Sequence, residues 1–490
     1  MKQSVKTTPR TGTGVQGADM ILNGRLIRDH SYLLSGVAGC GKTIFSLQWL
    51  RDGLANGETC MYITLAEPAN EIAANVIAFG WNLDGVDIID LSPSGENLDE
   101  YHVFAPNEVE GTPVWKAIYQ AIQDKKPGRL VIDSVTNLRY LAADEYQFRK
   151  NILALVNLLK RSGGTSLLLF DPSEEQLEVT VGLAVDGIIR LQREISPSLA
   201  IGVRSMQVEK MRGSNFLSSP HALRIGASGI TVFPHIIETT EQSAPGDRLI
   251  ASGVAALDEL LGGGFTEGTI NLISGPTGAG KSSLGTQFLV HQAAHTRAVL
   301  FSFEESPAMI IARSRSMGSP IEEALTSGAL EIRRINPLEL YPDEFLAVIR
   351  KAVEEDGRRL VMIDSLRGYE LAMEDFGKPL AHIHNLTAYL SRKGVSTLLI
   401  NETEFITGLS LRATDISISI RHLADNIIQL RYAEMLGRVA KVVGCLKKRA
   451  GSFQPELREM STTANGICVG QKLKNMQGLL TGTPTILRAA

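Results

Sequence analysis

The pattern G-x-x-x-x-G-K-[ST] occurs twice, as GVAGCGKT at 36–43 and GPTGAGKS at 275–282, with Lys42 and Lys281 239 residues apart (281 − 42). Such spacing raises the question of whether the whole chain is duplicated, because an internal repeat decides the architecture before any single motif does. The other landmarks answer it. TGVQGADMILNGR at 13–25 aligns with SGVAALDELLGGG at 252–264, AFG at 78–80 with SMG at 316–318, RLVIDSV from Arg129 with RLVMIDSL from Arg359, and VDGIIRL with ADNIIQL. They keep their order, at an offset of 238 or 239 (316 − 78, 252 − 13) except for the Arg129 and Arg359 runs (359 − 129 = 230), so the chain reads as two tandem copies of one unit.

The polar stretch ETTEQSAPGDR at 238–248 carries Pro245 and Gly246 and precedes the second copy, which makes it the linker. The domains are accordingly placed at 1–240 and 241–490. Within a half, short apolar runs such as SYLLSG, CMYITL, RLVIDS and TSLLLF alternate with longer amphipathic stretches. In one of these, FRKNILALVNLLKR, the residues Ile152, Leu155, Val156 and Leu159 fall at helical spacing. Buried strands alternating with helices predict an α/β fold, a mainly parallel sheet covered on both faces, once per half.

With 490 residues and 44% hydrophobic content, the chain is long enough for two packed cores. A formal net charge of −4 gives no overall electrostatic reason to hold nucleic acid or anionic lipid. No apolar run reaches membrane-spanning length, and MKQSVKTTPRTGTG at the start lacks the apolar core of a secretory signal. A cytoplasmic location without a membrane partner is therefore expected. Cys40, Cys60, Cys445 and Cys468 are scattered, with neither metal-ligand nor disulfide spacing, and are expected to be small buried residues.

Each glycine-rich loop follows a strand-like run and opens a helix-like segment, IFSLQWL or SLGTQFL. In that context backbone N–H groups wrap nucleotide phosphates at a helix N-terminus. The candidates are Gly39, Cys40, Gly41, Lys42, Thr43 and Ile44 in the first copy, and Thr277, Gly278, Ala279, Gly280, Lys281, Ser282 and Ser283 in the second. Lys42 and Lys281 add a point charge, and Thr43 and Ser282 offer a hydroxyl to a metal ion, so ATP and Mg²⁺ are the expected cofactors.

Asp133 of LVIDS and Asp364 of VMIDS end apolar runs, where an acid beside the loop can hold the Mg²⁺ shell. Asp-Ser alone is also an ordinary turn. The preceding runs end in ITLAEP and FSFEES. There Glu67, Glu304 and Glu305 are placed to orient or deprotonate an attacking water, with Glu304 also on the Mg²⁺ side, or simply to favour a helix start. Ala66 stands where the second copy has Glu304. Lys210 with Arg212, and Lys447 with Arg449, are alternate residues that an extended strand projects to one side. Such a pair suits a neighbouring subunit's phosphate, or else a solvated basic strand.

The doubled loop, the strand-end acids, SFEES followed by SMG, ADNIIQLRY and the paired K-x-R elements resemble the KaiC-like ATPase family of the RecA superfamily, over nearly the whole length. The resemblance implies two RecA-like domains in tandem, a homohexamer with ATP between subunits, and slow ATP hydrolysis in a signalling or clock-like role. It implies that Lys210 and Arg212, or Lys447 and Arg449, contact the γ-phosphate bound by the next protomer. It further implies autophosphorylation of a Ser-Thr pair in the second domain, and KaiA and KaiB partners.

This sequence departs from the family pattern in three places. Ala66-Glu67 replaces a pair of acids. The acceptor positions, four and three residues before Asp425, are Arg421 and His422, with Ser417 and Ser419 off register. Little chain follows TGTPTILR, so a KaiB-like partner is expected and KaiA is not. Two other classes compete. A DNA-dependent motor of the same superfamily would need a basic glycine-rich pore loop and a DNA-binding module, neither of which is visible. An ATP-bound assembly hub needs only intact loops, since losing a general base costs about 10² to 10⁴ in rate and leaves the phosphate contacts in place.

Overall fold

The computed structural model describes residues 8–93, 113–172, 175–195, 202–236, 246–337, 340–373, 379–403, 416–435, 437–474, 476–477 and 485–486. The chain divides into two compact units, Met1–Ile236 and Ile237–Ala490. The expected linker lies, up to residue 245, outside the described residues.

The first unit runs β1 (Ser31–Ser35), α1 (Lys42–Ala55), β2 (Cys60–Thr64), α2 (Ala69–Ile77), β3 (Val86–Asp90), α3 (Pro113–Lys125), β4 (Arg129–Asp133), α4 (Glu145–Ser162), β5 (Thr165–Phe170) and α5 (Glu175–Ala184). Four strands follow in succession: β6 (Gly187–Ile195), β7 (Gly202–Met211), β8 (His221–Gly226) and β9 (Gly229–Phe233). Together they make a nine-stranded sheet in the order β9-β8-β7-β6-β1-β5-β4-β2-β3. The strands from β6 to β3 in that order are mutually parallel, and β6 to β9 are antiparallel.

The second unit repeats the plan: β10 (Ile270–Gly275), α6 (Lys281–Ala293), β11 (Ala298–Ser302), α7 (Pro307–Ser316), β12 (Leu330–Arg334), α8 (Pro342–Glu354), β13 (Leu360–Asp364), α9 (Pro379–Arg392), β14 (Ser396–Glu402), α10 (Ile416–Leu423), β15 (Asn426–Met435), β16 (Arg438–Lys448), β17 (Leu457–Thr463) and β18 (Gly466–Lys472). Its nine strands lie in the order β12-β11-β13-β14-β10-β15-β16-β17-β18, the same sequence of neighbours as in the first sheet. The α/β class expected from the sequence is the class observed.

The parallel strands are apolar on both faces because helices cover both. In β1, Tyr32 and Leu34 join Phe45 and Trp49 of α1 in one core, while Leu33 joins the opposite core with Phe148, Ile152 and Leu155 of α4. Helix α4 shows how local chemistry sets such an element. Asp144 caps its start by accepting from the Gln147 N–H, Gly163 closes it at φ 75°, and Lys160 and Arg161 sit at the negative end of the dipole. Its buried stripe includes the four residues picked out by helical spacing. Fully burying one such side chain contributes roughly 1.5–3 kcal/mol, so the stripe outweighs the caps in holding the helix to the sheet.

Each parallel strand delivers its C-terminal end to one edge, where β1 and β10 run into the glycine-rich loops. Register then sets the acids: Thr64 pairs with Asp133 across β2 and β4, and Ser302 with Asp364 across β11 and β13. Among the described residues no helix is long and apolar enough to cross a membrane. Cys40, Cys60 and Cys445 are buried as expected, but Cys468 is exposed, because it lies on the edge strand β18.

Candidate functional site

Both loops bend where only glycine is comfortable. Gly41 (φ 110°) and Gly280 (φ 101°) are the left-handed N-caps of α1 and α6. The first glycine of each loop answers to crowding instead. A Cβ on Gly36 would sit 2.3 Å from the Leu191 carbonyl oxygen of β6, and one on Gly275 2.6 Å from that of Leu430 in β15. The loop therefore turns hard against the neighbouring strand and presents the unpaired N–H groups of the helix start, which favour an anion.

Each loop lysine folds back over its own loop. Lys42 Nζ donates to the Gly36 and Val37 carbonyls, the latter at 3.2 Å, and Lys281 Nζ donates to the Pro276 carbonyl at 2.9 Å. Burial depresses the Lys281 ammonium, against the opposing pull of Glu402, Asp364 and Glu304. A phosphate arriving at this point would meet a cation that is already partly desolvated.

On the metal side, Thr43 Oγ1 donates to Asp133 Oδ2 at 3.3 Å, and the hydroxyl of its counterpart Ser282 acts on Asp364 to oppose the rise of that carboxyl. In both units the peptide bond after this acid is cis. Burial raises both carboxyl groups; Asp364 reaches about 6, with Glu305 and Glu304 adding to the rise. Among the described residues no cluster of three or more His, Cys, Asp or Glu could hold a metal ion alone. That donor set still fits Mg²⁺, a hard cation that takes one or two protein oxygens and completes its shell with phosphates and water.

The acids after β2 and β11 differ between the units. In the second, Ser306 caps α7 by accepting from the Met309 N–H and Pro307 opens the helix. Arg313 of α7 then grips both carboxylate oxygens of Glu305, while Glu304 accepts from the hydroxyl of Ser365, next to Asp364. In the first, the Thr64 hydroxyl holds the Glu67 carbonyl at 2.5 Å, as Ser302 holds that of Glu305 at 2.8 Å. Asn75, aligned with Arg313, reaches Glu67 only at 3.5 Å. Glu67 is thus the counterpart of Glu305, and the position of Glu304 belongs to the exposed Ala66. Partial desolvation raises the Glu67 carboxyl, with further contributions from Asp133 and Glu71.

The K-x-R residues converge as strand alternation predicts, but on their own chain. Lys210 Nζ donates to the carbonyls of Gly182 and Val185 at the end of α5, at 2.8 and 2.7 Å, and Arg212 pairs with Asp186 at 3.5 Å. Lys447 does the same with Arg421 and Ala424 at the end of α10, at 3.1 and 2.6 Å, and Arg449 pairs with Asp425 at 3.0 Å.

Four residues near the loops escaped the sequence reading. Asp171, just past β5, lies 4.0 Å from Lys42, and Glu402 ends β14 level with Gly275. Both follow apolar runs, TSLLLF and STLLIN, so the strand-end argument used for Asp133 would have found them. Arg204 Nε approaches the Gly39 carbonyl at 3.4 Å, from a strand pair whose register could not be read from the sequence. The fourth is Tyr62, whose hydroxyl bonds Asp133 Oδ2 from inside the core.

Comparison with known proteins agrees with this geometry. The family described as "ATPase: KaiC" matches residues 11–236 and again 250–474. The chain is similar to the circadian clock oscillator protein KaiC of Prochlorococcus marinus, at 29% identity over 96% of this chain and 95% of that one. It is similar to the KaiC of Synechococcus elongatus at 28% identity, over 96% and 91%. The circadian clock protein KaiC3 of a Synechocystis species shares 27% over 96% and 94%. With two RecA-like sheets in tandem and the family match falling on each of them, the chain belongs to the KaiC ATPase family.

Proposed function

We propose that the protein is an ATP-binding and ATP-hydrolysing homohexamer, with ATP at its subunit interfaces, whose second unit turns ATP over while the first mainly holds it. What carries this reading is Glu304, held by Ser365 beside Asp364, set against Ala66 at the same position of the first unit. The loop amides and Lys281 bind the phosphates. Ser282 and Asp364, with Glu304 nearby, are the residues that would hold Mg²⁺, which when bound neutralises charge developing on the phosphate oxygens. Glu304 orients the water and takes its proton. Glu305 is tied to Arg313 and assists by fixing the turn rather than by taking a proton.

In the hexamer Lys447 and Arg449, or Lys210 and Arg212, leave their helix ends and meet the γ-phosphate of the next protomer. Arg449→Ala should then lower turnover by about 10³ or more, the range of a finger supplied in trans. The biological role we propose is nucleotide-dependent signalling in the cytoplasm, through copies of the chain itself and a KaiB-like partner, in keeping with relatives named as clock proteins. An autokinase activity falls to Ser417 or Ser419, because Arg421 and His422 offer no hydroxyl. Phosphopeptide mapping after incubation with ATP tests it, and phosphate on neither serine excludes it.

Steady-state ATPase assays and native mass of Lys42→Ala and Lys281→Ala test the division of labour. Lys281→Ala should remove most turnover and leave the assembly, whereas Lys42→Ala should weaken ATP-dependent assembly and leave most turnover. Retained turnover in Lys281→Ala sinks the asymmetry.

A further inference from the structure

Tyr62 lies in the middle of β2 and is fully buried, packed in the same core as Phe45 of α1 and Leu169 of β5. A phenol in that position needs a partner for its hydroxyl, since a buried polar group without one costs roughly 1–3 kcal/mol. The partner is Asp133 of the adjacent strand β4, at Oδ2. Thr43 Oγ1, from the first turn of α1, donates to the same oxygen at 3.3 Å. Two hydroxyls from opposite elements therefore fall on one carboxylate oxygen. Among the described residues Oδ1 receives none.

The second unit lacks this arrangement. Leu300 stands in β11 where Tyr62 stands in β2, opposite Met362 as Tyr62 is opposite Val131. A leucine carries no hydroxyl, so among the described residues the hydrogen bond to Asp364 from this side of the strand is absent. Ser46 of α1, which also lies against the Tyr62 hydroxyl, is likewise replaced, by Gly285.

We propose that Tyr62 is a positioning residue for the metal side of the first site: with Thr43 it fixes Oδ2 of Asp133 inward and turns Oδ1 toward the magnesium shell of a bound nucleotide. A carboxylate held by two donors on one oxygen has lost the rotation about its Cβ–Cγ bond. Less entropy then remains to be lost when the other oxygen engages the metal's water or the metal itself. Tyr62 touches neither phosphate nor reacting water and acts only through Asp133. It equips the first site to retain a magnesium nucleotide, the task left to a unit that has Ala66 in place of an acid. The inference rests on the reading that the first loop binds ATP with Mg²⁺.

The test uses the full chain carrying Lys281→Ala, so that nucleotide reports on the first site, with and without Tyr62→Phe, which removes the hydroxyl and keeps the ring. A fluorescent ATP analogue is titrated in EDTA and then across a Mg²⁺ series. The melting temperature without nucleotide is recorded alongside. The expected result is a roughly tenfold higher Mg²⁺ concentration at half-saturation in Tyr62→Phe, at the low end of losses seen when outer partners of metal ligands are removed. Affinity in EDTA should not change. An unchanged Mg²⁺ midpoint overturns the proposal, and so does an equal loss of affinity with and without Mg²⁺, which would make Tyr62 a packing residue only. If the Lys281→Ala parent binds no nucleotide at all, the reading beneath the proposal fails with it. If the parent binds normally and Tyr62→Phe matches it, only the proposal fails.

Discussion

Arg313 and Asn75 occupy the same turn of α7 and α2, and each decides what the acid beside it can do. A guanidinium on both oxygens of Glu305 neutralises that carboxylate and holds it, so the neighbouring Glu304 is left to the chemistry. An amide at 3.5 Å holds Glu67 far less, yet Glu67 follows the path of Glu305 and not that of Glu304. The first unit therefore has no carboxylate at position 66, and Glu67, one residue along, stands in the place of Glu305 and not of Glu304. Ala66→Glu in a Lys281→Ala chain should raise ATP turnover by about 10² through general-base catalysis, measured as steady-state phosphate release. No gain would mean that the deficit lies elsewhere. The identity of the missing acid was legible from FEES against LAEP. The grip of Arg313 was not, because it depends on a helix turn that brings together residues eight apart in sequence. Nor was Tyr62, since an aromatic residue within an apolar strand reads as core until its hydroxyl is seen to have a polar partner.

Strands and helices were legible where the apolar period was clear, as in α4, and at the strands that end in Asp133 and Asp364. The junction between α5 and β6 was less so. There Asp186 accepts from the Ser31 N–H at 3.2 Å and Lys160 at 2.9 Å and pairs with Arg212, tying α4, β1 and β7 together. Sequence alignment marked Asp186 only as a repeated landmark, because its partners come from three separate elements. Burial pushes its carboxyl up, but the hydrogen bonds from Lys160 and Ser31 and the charge of Lys160 outweigh that and hold it below the usual aspartate range. A depressed carboxyl stabilises the fold above its unfolded pKa, near 3.9, and that stability is lost as pH falls through the lower folded value. Asp186→Asn should cost about 1–2 kcal/mol at neutral pH, kept modest because Lys160 and Arg212 are partly solvated. In urea melts the gap between wild type and variant should be full at pH 6 and narrow below about pH 4. A gap independent of pH would assign the effect to packing.

At the scale of the molecule, the two units share one order of nine strands, one loop motif, an aspartate at the end of β4 or β13 and one helix-capping lysine, while many of the side chains set on that frame differ. The resemblance of the halves was readable because glycine, lysine and aspartate positions tied to backbone geometry tolerate little change. Of the differences, Ala66 against Glu304 was readable, whereas Arg313 and Tyr62 were not, because each acts through a neighbour that only the fold supplies. The shared order has a practical use: a residue at a matched position of β2 or β4 comes with an internal control at the same place of β11 or β13, in the same polypeptide. Exchanging residues 62, 66 and 75 with 300, 304 and 313 would therefore be a reciprocal graft with no change of scaffold. If turnover and retention trade places along with those six side chains, the rest of each unit is interchangeable support, and the division of labour is written in three positions per copy.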